Sequence, residues 1–286
     1  MVDISIINNK KKQLESVLHD IIVQITDQDS TIEDIVFYNI FPGGKRLRAL
    51  LSLLMYEALG GKKGNIYICA CVPELLHIAT IMLDDLPCMD DSNYRRNKLS
   101  SHKKFGEANT ILAAFGLATK SFSILSDKSN LGEIDSQKSL KMIEEITHKI
   151  GFTGLIGGQI ADLNLGKNVH GCKNDEERLD YIAYNKTATL FETCAIIASY
   201  LAEATNENRK RLLEYTRNFG LALQIFDDLQ DIDDDKGLSF SKVYGIEKTK
   251  KLLLEKIKAS HDCIIPTNKS AQLLRMLPQY LLEINT

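Results

Sequence analysis

An all-α fold is predicted from three features of the sequence. The chain of 286 residues contains only 5 prolines and 17 glycines, fewer than a many-stranded barrel or sandwich needs for its turns. No run of residues alternates between apolar and polar types as a half-buried strand does, and apolar residues recur instead at helical spacing. Because 44% of the residues are hydrophobic, a chain of this length can bury a sizeable core. No linker rich in proline, glycine or serine interrupts the pattern, so we expect a single domain over residues 1–286.

The expected helices follow from this periodicity and from the residues that interrupt it. They cover residues 12–24, 45 to the glycine pair at 60–61, 66–89, 106–125, 136–150, 151–166, 175–205, 207–231 and 245–260. Loops are expected at 127–130, 166–174 and 233–241. Pro73 falls inside the third predicted helix, where it cannot donate a hydrogen bond to the carbonyl of Cys69. We therefore expect either a kink or a first turn at Pro73.

Charge and cysteine content exclude several classes of function. The 35 Lys and Arg nearly balance the 38 Asp and Glu, and a net charge of −3 argues against wholesale binding to nucleic acid. The six cysteines have neither the spacing nor the histidine neighbours of a zinc site, so we expect reduced thiols in the core. The first twelve residues are charged and polar, and no apolar stretch of a secretory signal follows them. The expected location is therefore the cytoplasm.

Two segments, 66–83 and 187–204, are apolar enough to raise the question of a membrane span. Each contains two ionisable side chains, among them Glu74 in the first and Glu192 in the second. Such helices are explained as central helices of a large bundle, so we expect no membrane span.

The first of two aspartate clusters is the run DDLPCMDD at residues 84–91, which ends a strongly apolar predicted helix. On an ideal helix Asp84 and Asp90 would lie on different faces. Pro87 supplies the irregularity that can bring the two carboxylates together.

The second cluster is DDLQD at residues 227–231. Asp227 and Asp231, four residues apart, share one helix face, whereas Asp228 points away by about 100°. Like charges at this spacing repel unless a cation lies between them, and oxygen ligands without cysteine or histidine suit Mg²⁺. The other interpretation is a solvated acidic helix end, extended by the aspartates at 233–235. Two such clusters on apolar helices favour the metal.

Basic residues occur in three places that suit the phosphate groups with which Mg²⁺ is commonly bound. The first place holds Lys45 and Arg48, the second holds Arg95 and Arg96, and the third holds Lys186, which is followed by the polar residue Thr187. Lys45 and Arg48 lie three residues apart at a helix start preceded by two glycines, which suits an anion but lacks the Walker A spacing. A solvated basic turn is the alternative. His77, seven residues before Asp84, lies on roughly the same helix face, although it also fits a satisfied buried histidine.

These motifs occur in the order and spacing of the trans-isoprenyl diphosphate synthases. They are FPGGKRLR at 41–48, the segment 77–96 around LDDLPCMDD, HKKFGE at 102–107, GGQIAD at 157–162, Lys186-Thr187, and QIFDDLQD at 224–231. The resemblance covers about residues 40–260, and the stretch 82–90 looks like the bacterial geranylgeranyl diphosphate synthases of carotenoid pathways. It implies an all-α bundle with a deep central cavity, usually a homodimer, in which the two aspartate clusters face each other across the cavity mouth.

The resemblance also implies a reaction, the head-to-tail condensation of isopentenyl diphosphate with an allylic diphosphate (dimethylallyl, geranyl or farnesyl). Three Mg²⁺ ions, ligated by Asp84, Asp90 and Asp227, would hold the allylic diphosphate. The resemblance implies that Asp85, Asp228 and Asp231 support the metal ligands or their waters, and that Arg95 and Lys186 bind the allylic diphosphate. It implies that isopentenyl diphosphate binds to Lys45, Arg48, His77 and Arg96. Thr187 and Gln224 would contact the allylic carbon.

Product length is expected to depend on Ala79, the fifth residue before Asp84 and therefore about 7.5 Å along the helix toward the cavity floor. In the farnesyl diphosphate synthases that the chain resembles, an aromatic residue commonly fills this position. Ala79 leaves room for another unit and predicts geranylgeranyl diphosphate, with farnesyl diphosphate as the alternative. The other interpretation is that Ala79 only permits close helix packing, while Leu75, Leu76 or Phe115 closes the floor.

Two further functions stay open at this point. The family contains non-catalytic subunits that regulate an active relative, but these have lost aspartates that are complete in this sequence. A terpene cyclase would use a different second metal motif.

The loop after Asp231 is shorter than in most relatives and lacks two familiar lysines, for which Lys236 is the candidate substitute.

Overall fold

A computed structural model describes residues 4–26, 30–41, 43–164, 171–231 and 237–285. Apart from connecting turns and one two-stranded hairpin these residues are helical, so the predicted all-α class is confirmed. The chain divides into two compact units. The N-terminal unit comprises residues 3–53 and 63–139, and the C-terminal unit comprises residues 54–62 and 140–286. The single domain expected over residues 1–286 stays a prediction.

The N-terminal unit is built around an apolar central helix, α4. In chain order its elements are α1 (Ile4–Thr26), α2 (Ser30–Ile40), α3 (Leu47–Ala58, in this unit up to Leu53), α4 (Ile66–Asp84), β1 (Tyr94–Arg95), β2 (Lys98–Leu99), α5 (Ser101–Phe105), α6 (Glu107–Ser126) and α7 (Lys128–Leu131). Helix α4 packs against α1, α2 and α6. Because neighbours surround it, α4 can be apolar on nearly every face.

Helix α4 begins after Asn65, whose side-chain oxygen accepts a hydrogen bond from the backbone N–H of Ile68 at 3.5 Å. Pro73 lies inside the helix, so the expectation of a first turn there is wrong. The helix ends at Asp84, five residues before the predicted end, because the chain turns at the aspartate cluster.

The C-terminal unit is arranged around the long helix α12. In chain order its elements are α8 (Ser136–Ile150, in this unit from Leu140), α9 (Leu155–Leu163), α10 (Asp175–Ile182), a π-helix (Ala183–Ala188), α11 (Thr189–Leu201), α12 (Asn206–Gln230), α13 (Phe240–Tyr244), α14 (Ile246–Cys263) and α15 (Lys269–Asn285). Helix α12 contacts α11, α13, α14, α15 and the π-helix. Ile225 and Phe226 of α12 pack with Phe240 and Leu253 in a buried cluster.

Three differences from the predicted elements have physical causes. Helix α2 is not predicted from the sequence: its eleven residues are too few for a stable isolated helix, and its packing against α1 and α6 holds it. Helix α15 is not predicted because Pro278 lies in its interior, where proline usually breaks a helix. The single helix expected over 175–205 is interrupted by the π-helix at Ala183–Ala188.

Two of the described helices, α4 and α6, are long and apolar enough to cross a membrane by those criteria alone. Within the 18-residue window that passes this test, 67% of α4 is buried inside the protein, as expected of a core helix, against 39% of α6. The segment 187–204, which the sequence singled out, does not qualify, since α11 spans only 13 residues.

All six cysteines are free thiols. Cys69, Cys71 and Cys194 are buried as predicted, and burial raises the pKa of Cys69 to about 12, which keeps that thiol protonated. The prediction of a core position is wrong for Cys88, which is exposed because it lies in the turn that follows α4.

Candidate active site

The first aspartate cluster forms a tight turn at the end of α4. The backbone N–H of Asp90 donates to the carbonyl of Asp84 at 2.9 Å, and that of Ser92 donates to the carbonyl of Asp85 at 3.2 Å. The chain therefore doubles back through Pro87, as the sequence predicts. Asp90 is exposed and Asp84 is partly exposed, so this turn presents carboxylates at the protein surface.

Asp85 is buried and holds Arg95. Only 2% of Asp85 is exposed, and its Oδ1 accepts hydrogen bonds from Nε and Nη2 of Arg95 at 3.0 and 2.5 Å. This hydrogen bond raises the pKa of Arg95, so the guanidinium stays charged. Asp85 thus fixes a cation beside the aspartate turn, a role that the sequence did not assign to it.

Arg95 and Arg96 lie in a β-hairpin, Arg95 at the end of its first strand and Arg96 in its two-residue turn. Strands β1 and β2 pair antiparallel with Arg95 opposite Lys98, and the two turn residues, Arg96 and Asn97, have φ values of 52° and 61°. Two left-handed residues in succession are typical of a type I′ turn. Asparagine tolerates this conformation well, whereas arginine adopts it rarely, so Arg96 is held in an uncommon backbone conformation.

The glycine pair preceding Lys45 lies against Arg96. Gly43 and Gly44 have φ values of 110° and 105°, which side-chain-bearing residues rarely adopt. Arg96 donates from Nη1 to the carbonyl of Gly43 at 3.2 Å, and a Cβ on Gly44 would stand 3.1 Å from the same nitrogen. Two motifs that are far apart in the sequence therefore meet here, while Lys45 is exposed.

Arg46 is a neighbour of the candidate site to which the sequence assigns no role. Its side chain is fully buried, with Nε 3.4 Å from Glu15 and Nη1 3.7 Å from Glu74. Its Nη2 donates to the carbonyl of Ile40 at 2.6 Å, and its guanidinium lies 5.3 Å from the ring centroid of Phe41. The signal that could have found it was Glu74, a carboxylate in an otherwise apolar helix.

His77 lies among the predicted basic residues. Burial lowers its pKa well below the ordinary value, and the nearby cations of Arg48, Arg96 and Arg95 lower it further. The imidazole is therefore neutral at pH 7 and can serve as a hydrogen-bonding group but not as a cation. The structure brings Arg48, His77 and Arg96 together within the N-terminal unit, as the sequence predicts.

The second aspartate cluster lies at the end of α12. Asp227 and Asp231 are exposed, whereas only 7% of Asp228 is exposed. Asp227 and Asp231 therefore share one helix face and Asp228 points away from it, as their spacing predicts. The backbone N–H of Asp231 donates to the carbonyl of Asp227 at 3.0 Å and closes the helix.

Three of the predicted residues in the C-terminal unit are joined by hydrogen bonds. Thr187 Oγ1 lies 2.8 Å from Gln224 Oε1, and Gln224 Nε2 lies 2.8 Å from Asp228 Oδ1. Asp228 Oδ2 accepts from the backbone N–H of Phe240 at 2.8 Å. The structure therefore places Thr187 and Gln224 side by side. That both lie beside the allylic carbon stays a prediction.

The π-helix carries Lys186 and Thr187, and helix α9 holds it in place. A Cβ on Gly158 would lie 2.3 Å from the backbone nitrogen of Lys186, so only glycine permits this approach. Lys186 Nζ donates to Asp162 Oδ2 at 2.7 Å. Asp162 belongs to the GGQIAD motif but was given no role from the sequence. π-Helical turns occur frequently at functional sites.

A buried carboxylate supports the other side of the π-helix. Glu192 is 1% exposed, forms an ion pair with Lys149, and accepts from Arg217 Nε at 3.1 Å. The hydroxyl of Tyr184, a residue of the π-helix, donates to the same carboxylate at 3.3 Å. The sequence had singled out Glu192 as an ionisable residue in an apolar segment, without a role.

Ala79 lies on α4, where the predicted helix continues without interruption to Asp84. It is 4% exposed and is preceded by the buried side chains of Leu75 and Leu76. Phe115, one of the residues proposed as an alternative floor, is 69% exposed and therefore does not fill a cavity within its own unit.

The donor groups of both clusters fit Mg²⁺ by their chemistry. Within the described residues no group of three or more His, Cys, Asp or Glu side chains stands ready to hold a metal ion. Each cluster nevertheless offers exposed carboxylate oxygens, and Mg²⁺ usually keeps several waters and completes its coordination with substrate phosphates. Pro42, the aspartates at 233–235 and Lys236 lie outside the described residues. That the two clusters face each other stays a prediction.

A family model described as Polyprenyl synthetase matches residues 29–245. The chain belongs to the polyprenyl synthetase family. Among its relatives, the mitochondrial geranylgeranyl pyrophosphate synthase 6 of Arabidopsis thaliana is 34% identical over 237 residues, covering 80% of this chain and 70% of the relative. The farnesyl diphosphate synthase of Bacillus subtilis is 33% identical over 229 residues, covering 80% of this chain and 75% of the relative.

Two solved structures have a similar fold. An apo FPP/GFPP synthase from Zymomonas mobilis is similar with a TM-score of 0.82 and 27% identity, over 96% of this chain and 99% of the other. A geranyltransferase from Legionella pneumophila is similar with a TM-score of 0.86 and 25% identity, over 98% and 96% of the two chains.

Proposed function

We propose that this polyprenyl synthetase is a Mg²⁺-dependent short-chain trans-prenyltransferase, which condenses isopentenyl diphosphate with allylic diphosphates to give geranylgeranyl diphosphate. One observation carries the proposal. In each unit, exposed or partly exposed aspartates lie at the end of an apolar or amphipathic helix. Each unit also contains a basic side chain that is held by a carboxylate, Arg95 by Asp85 and Lys186 by Asp162. This pattern suits a diphosphate that is bound through metal ions and fixed basic groups.

Asp84, Asp90 and Asp227 would hold three Mg²⁺ ions. Bound Mg²⁺ supplies charge neutralisation of the diphosphate that departs from the allylic carbon. The residues fit because all three side chains are at least partly exposed and offer oxygen ligands alone. Asp231, which is also exposed, would support these ligands or their waters. The number of ions rests on the family resemblance.

The two substrates would bind to different basic groups. Arg95 and Lys186 would bind the allylic diphosphate, and their partner carboxylates keep both cations in place. The isopentenyl diphosphate would bind to Lys45, Arg48, His77 and Arg96. In that set His77 would act as a neutral hydrogen-bond donor, because burial and, to a lesser extent, the neighbouring arginines keep its pKa low.

Condensation requires positioning and exclusion of water rather than a protein nucleophile. The alkene of isopentenyl diphosphate attacks the allylic cation when both are held in place, and apolar walls protect the cation from water. The departing diphosphate would accept the final proton. Thr187 and Gln224 would lie beside the allylic carbon.

Geranylgeranyl diphosphate is proposed as the main product because Ala79 contributes only a methyl group at its position on α4. Farnesyl diphosphate is the second candidate, favoured by the similarity to the Bacillus subtilis farnesyl diphosphate synthase. A non-catalytic partner subunit ranks lower, since both aspartate clusters are complete.

A homodimer formed through α6 is part of the proposal. Leu112 and Phe115 are 68% and 69% exposed, and α2 and α6 line an open groove of about 550 Å³. An apolar helix of which less than half is buried indicates a partner surface, and a second copy of the chain would supply the matching apolar face. A cytoplasmic location and the absence of a nucleic-acid partner remain predictions.

The test is diphosphate release by the purified protein with Mg²⁺ and each allylic substrate, in the presence and absence of isopentenyl diphosphate. A synthase releases diphosphate only when isopentenyl diphosphate is present, and extraction of the lipids should give a twenty-carbon product. Release without isopentenyl diphosphate would indicate a cyclase, and no release would indicate a non-catalytic subunit.

A further inference from the structure

Asp228 differs from the other aspartates of its cluster because its carboxylate faces the protein. It is 7% exposed, whereas Asp227 and Asp231 are exposed. Its Oδ2 accepts from the backbone N–H of Phe240 at 2.8 Å, and its backbone carbonyl accepts from the hydroxyl of Ser241 at 3.2 Å. The contact with Phe240 spans twelve residues of sequence and ties α12 to the start of α13.

Two hydrogen bonds link Asp228 through Gln224 to Thr187, and the chemistry of each group determines which side chain donates. Asp228 Oδ1 accepts from Gln224 Nε2 at 2.8 Å, so the amide nitrogen of Gln224 faces Asp228. The carbonyl oxygen of the same amide then faces Thr187, and the 2.8 Å contact between them requires Thr187 to donate its hydroxyl proton.

The direction of this hydrogen bond decides which atoms of the Thr187 hydroxyl are left to face the substrate. A hydroxyl has one proton and two lone pairs. Because the proton points at Gln224, the oxygen of Thr187 presents lone pairs to any other neighbour. A positive charge that develops beside it would meet electron density, whereas the reversed direction would present a proton and oppose that charge.

We propose that Asp228 is a positioning residue for the prenyl transfer, which sets the hydrogen-bond direction through Gln224 so that Thr187 offers lone pairs to the allylic cation. The inference rests on the proposed function, and it separates Asp228 from its neighbours Asp227 and Asp231, which would serve the metal ions.

The first test is the variant D228N. The amide oxygen would be drawn to the N–H of Phe240, which leaves its NH₂ facing Gln224. Gln224 would then rotate and donate to Thr187, so the hydrogen-bond direction would reverse. We expect kcat to fall about a hundredfold, as for loss of one oriented catalytic dipole. KM for the allylic substrate and the Mg²⁺ concentration for half-maximal activity should change less than about threefold, in contrast to the loss of a metal ligand.

A double-mutant cycle tests whether Asp228 acts through Thr187. T187V removes the hydroxyl at constant shape, and T187S keeps it. We expect T187S to retain most of the activity, T187V to lose about as much as D228N, and D228N to cost little more when it is added to T187V. If D228N does not fold, Q224M breaks the same path while Asp228 keeps its contact with Phe240, and the same cycle is run with that variant.

The exposed Asp262 of α14 provides the matched control, since D262N makes the same chemical change outside these hydrogen bonds. Thermal unfolding of every variant separates a fold defect from a kinetic one. The inference is overturned if D228N, or Q224M in its place, keeps wild-type kcat. It is also overturned if the fold-loss of kcat in the double variant equals the product of the losses of this variant and T187V. A tenfold or greater rise in the Mg²⁺ concentration for half-maximal activity would overturn it too. Wild-type protein that shows no release dependent on isopentenyl diphosphate would overturn the proposed function itself.

Discussion

Arg46 shows how one buried residue can hold the loop that carries Lys45. The residue follows Lys45 directly, adopts a left-handed backbone with φ of 50°, and is fully buried beside Glu15 and Glu74. A buried charge is tolerated only when it is paired, because desolvation disfavours it strongly. The two carboxylates therefore allow the loop to bend sharply and to leave Lys45 at the surface.

Removal of one partner of Arg46 should destabilise the fold. We expect E74Q to lower the free energy of unfolding by about 3 kcal/mol, since a buried guanidinium would lose much of its compensation. Urea unfolding monitored by circular dichroism measures the difference. E255Q, on the exposed face of α14, is the control and should change stability by less than about 0.5 kcal/mol. A loss in E74Q no larger than that of the control would contradict this account of Arg46.

The aspartates assigned to Mg²⁺ should be essential for turnover. We expect D84A and D227A each to lower kcat by about a hundredfold or more, because each removes a ligand where leaving-group charge develops. Steady-state kinetics at saturating Mg²⁺ decide the point, with D262A as an exposed control. Near-wild-type turnover of either variant would show that the metal assignment is wrong.

The basic residues should separate the two substrates. We expect K45A and R48A to raise KM for isopentenyl diphosphate about tenfold or more, as for loss of a charge-assisted hydrogen bond, and to change KM for the allylic substrate much less. Initial rates with one substrate varied and the free Mg²⁺ held constant measure both constants. K251A, on the exposed surface of α14, is the control. Equal increases for both substrates would rule out separate subsites.

Among the elements, α4 and the π-helix perform different tasks. Helix α4 is regular up to Asp84, so it carries Ala79 and the first aspartate at a fixed separation. The π-helix is irregular and is supported by Asp162 and Glu192, which lie on different helices. The regular element therefore sets a distance, and the irregular one aims two polar side chains.

Product length should respond to volume at Ala79. We expect A79F to shorten the product from twenty to fifteen carbons while leaving the Mg²⁺ dependence unchanged, because it adds bulk on α4 and no charge at the aspartates. Chromatography of the dephosphorylated products measures the length. Overpacking costs about 1–3 kcal/mol, so A79L is a smaller step if A79F unfolds.

L254F adds an aromatic ring at an exposed position of α14 and should leave the product unchanged. If A79F still forms the twenty-carbon product, Ala79 serves helix packing alone. Wild-type protein that stops at fifteen carbons with excess isopentenyl diphosphate would contradict the length prediction and leave the synthase function standing.

For the whole molecule, the exposed apolar face of α6 predicts the oligomeric state. We expect the wild-type protein to sediment as a dimer and the double variant L112E/F115E to sediment as a monomer, because the variant places two charges in an apolar interface. Analytical ultracentrifugation measures both masses. L254E alters a similarly exposed leucine on α14, which is 63% exposed, and this variant should remain a dimer. A monomeric wild type, or a double variant that stays dimeric, would exclude this interface.

Much of this protein can be derived from local sequence patterns. Helical periodicity was enough to predict the all-α class and most of the long helices, because a helix is defined by contacts within four residues. The same spacing placed Asp227 and Asp231 on one helix face and Asp228 on another. Motif order was sufficient to recognise the family, which the match over residues 29–245 confirms.

The partners of the charged residues could not be derived in this way. Asp85 with Arg95, Asp162 with Lys186, and Asp228 with Phe240 are separated by ten, twenty-four and twelve residues. No spacing rule relates residues so far apart, since their contact depends on how helices and turns pack. The sequence by itself determined which side chains carry the chemistry, and only the tertiary structure decided which carboxylates are left exposed for a metal ion and which are committed to holding another residue.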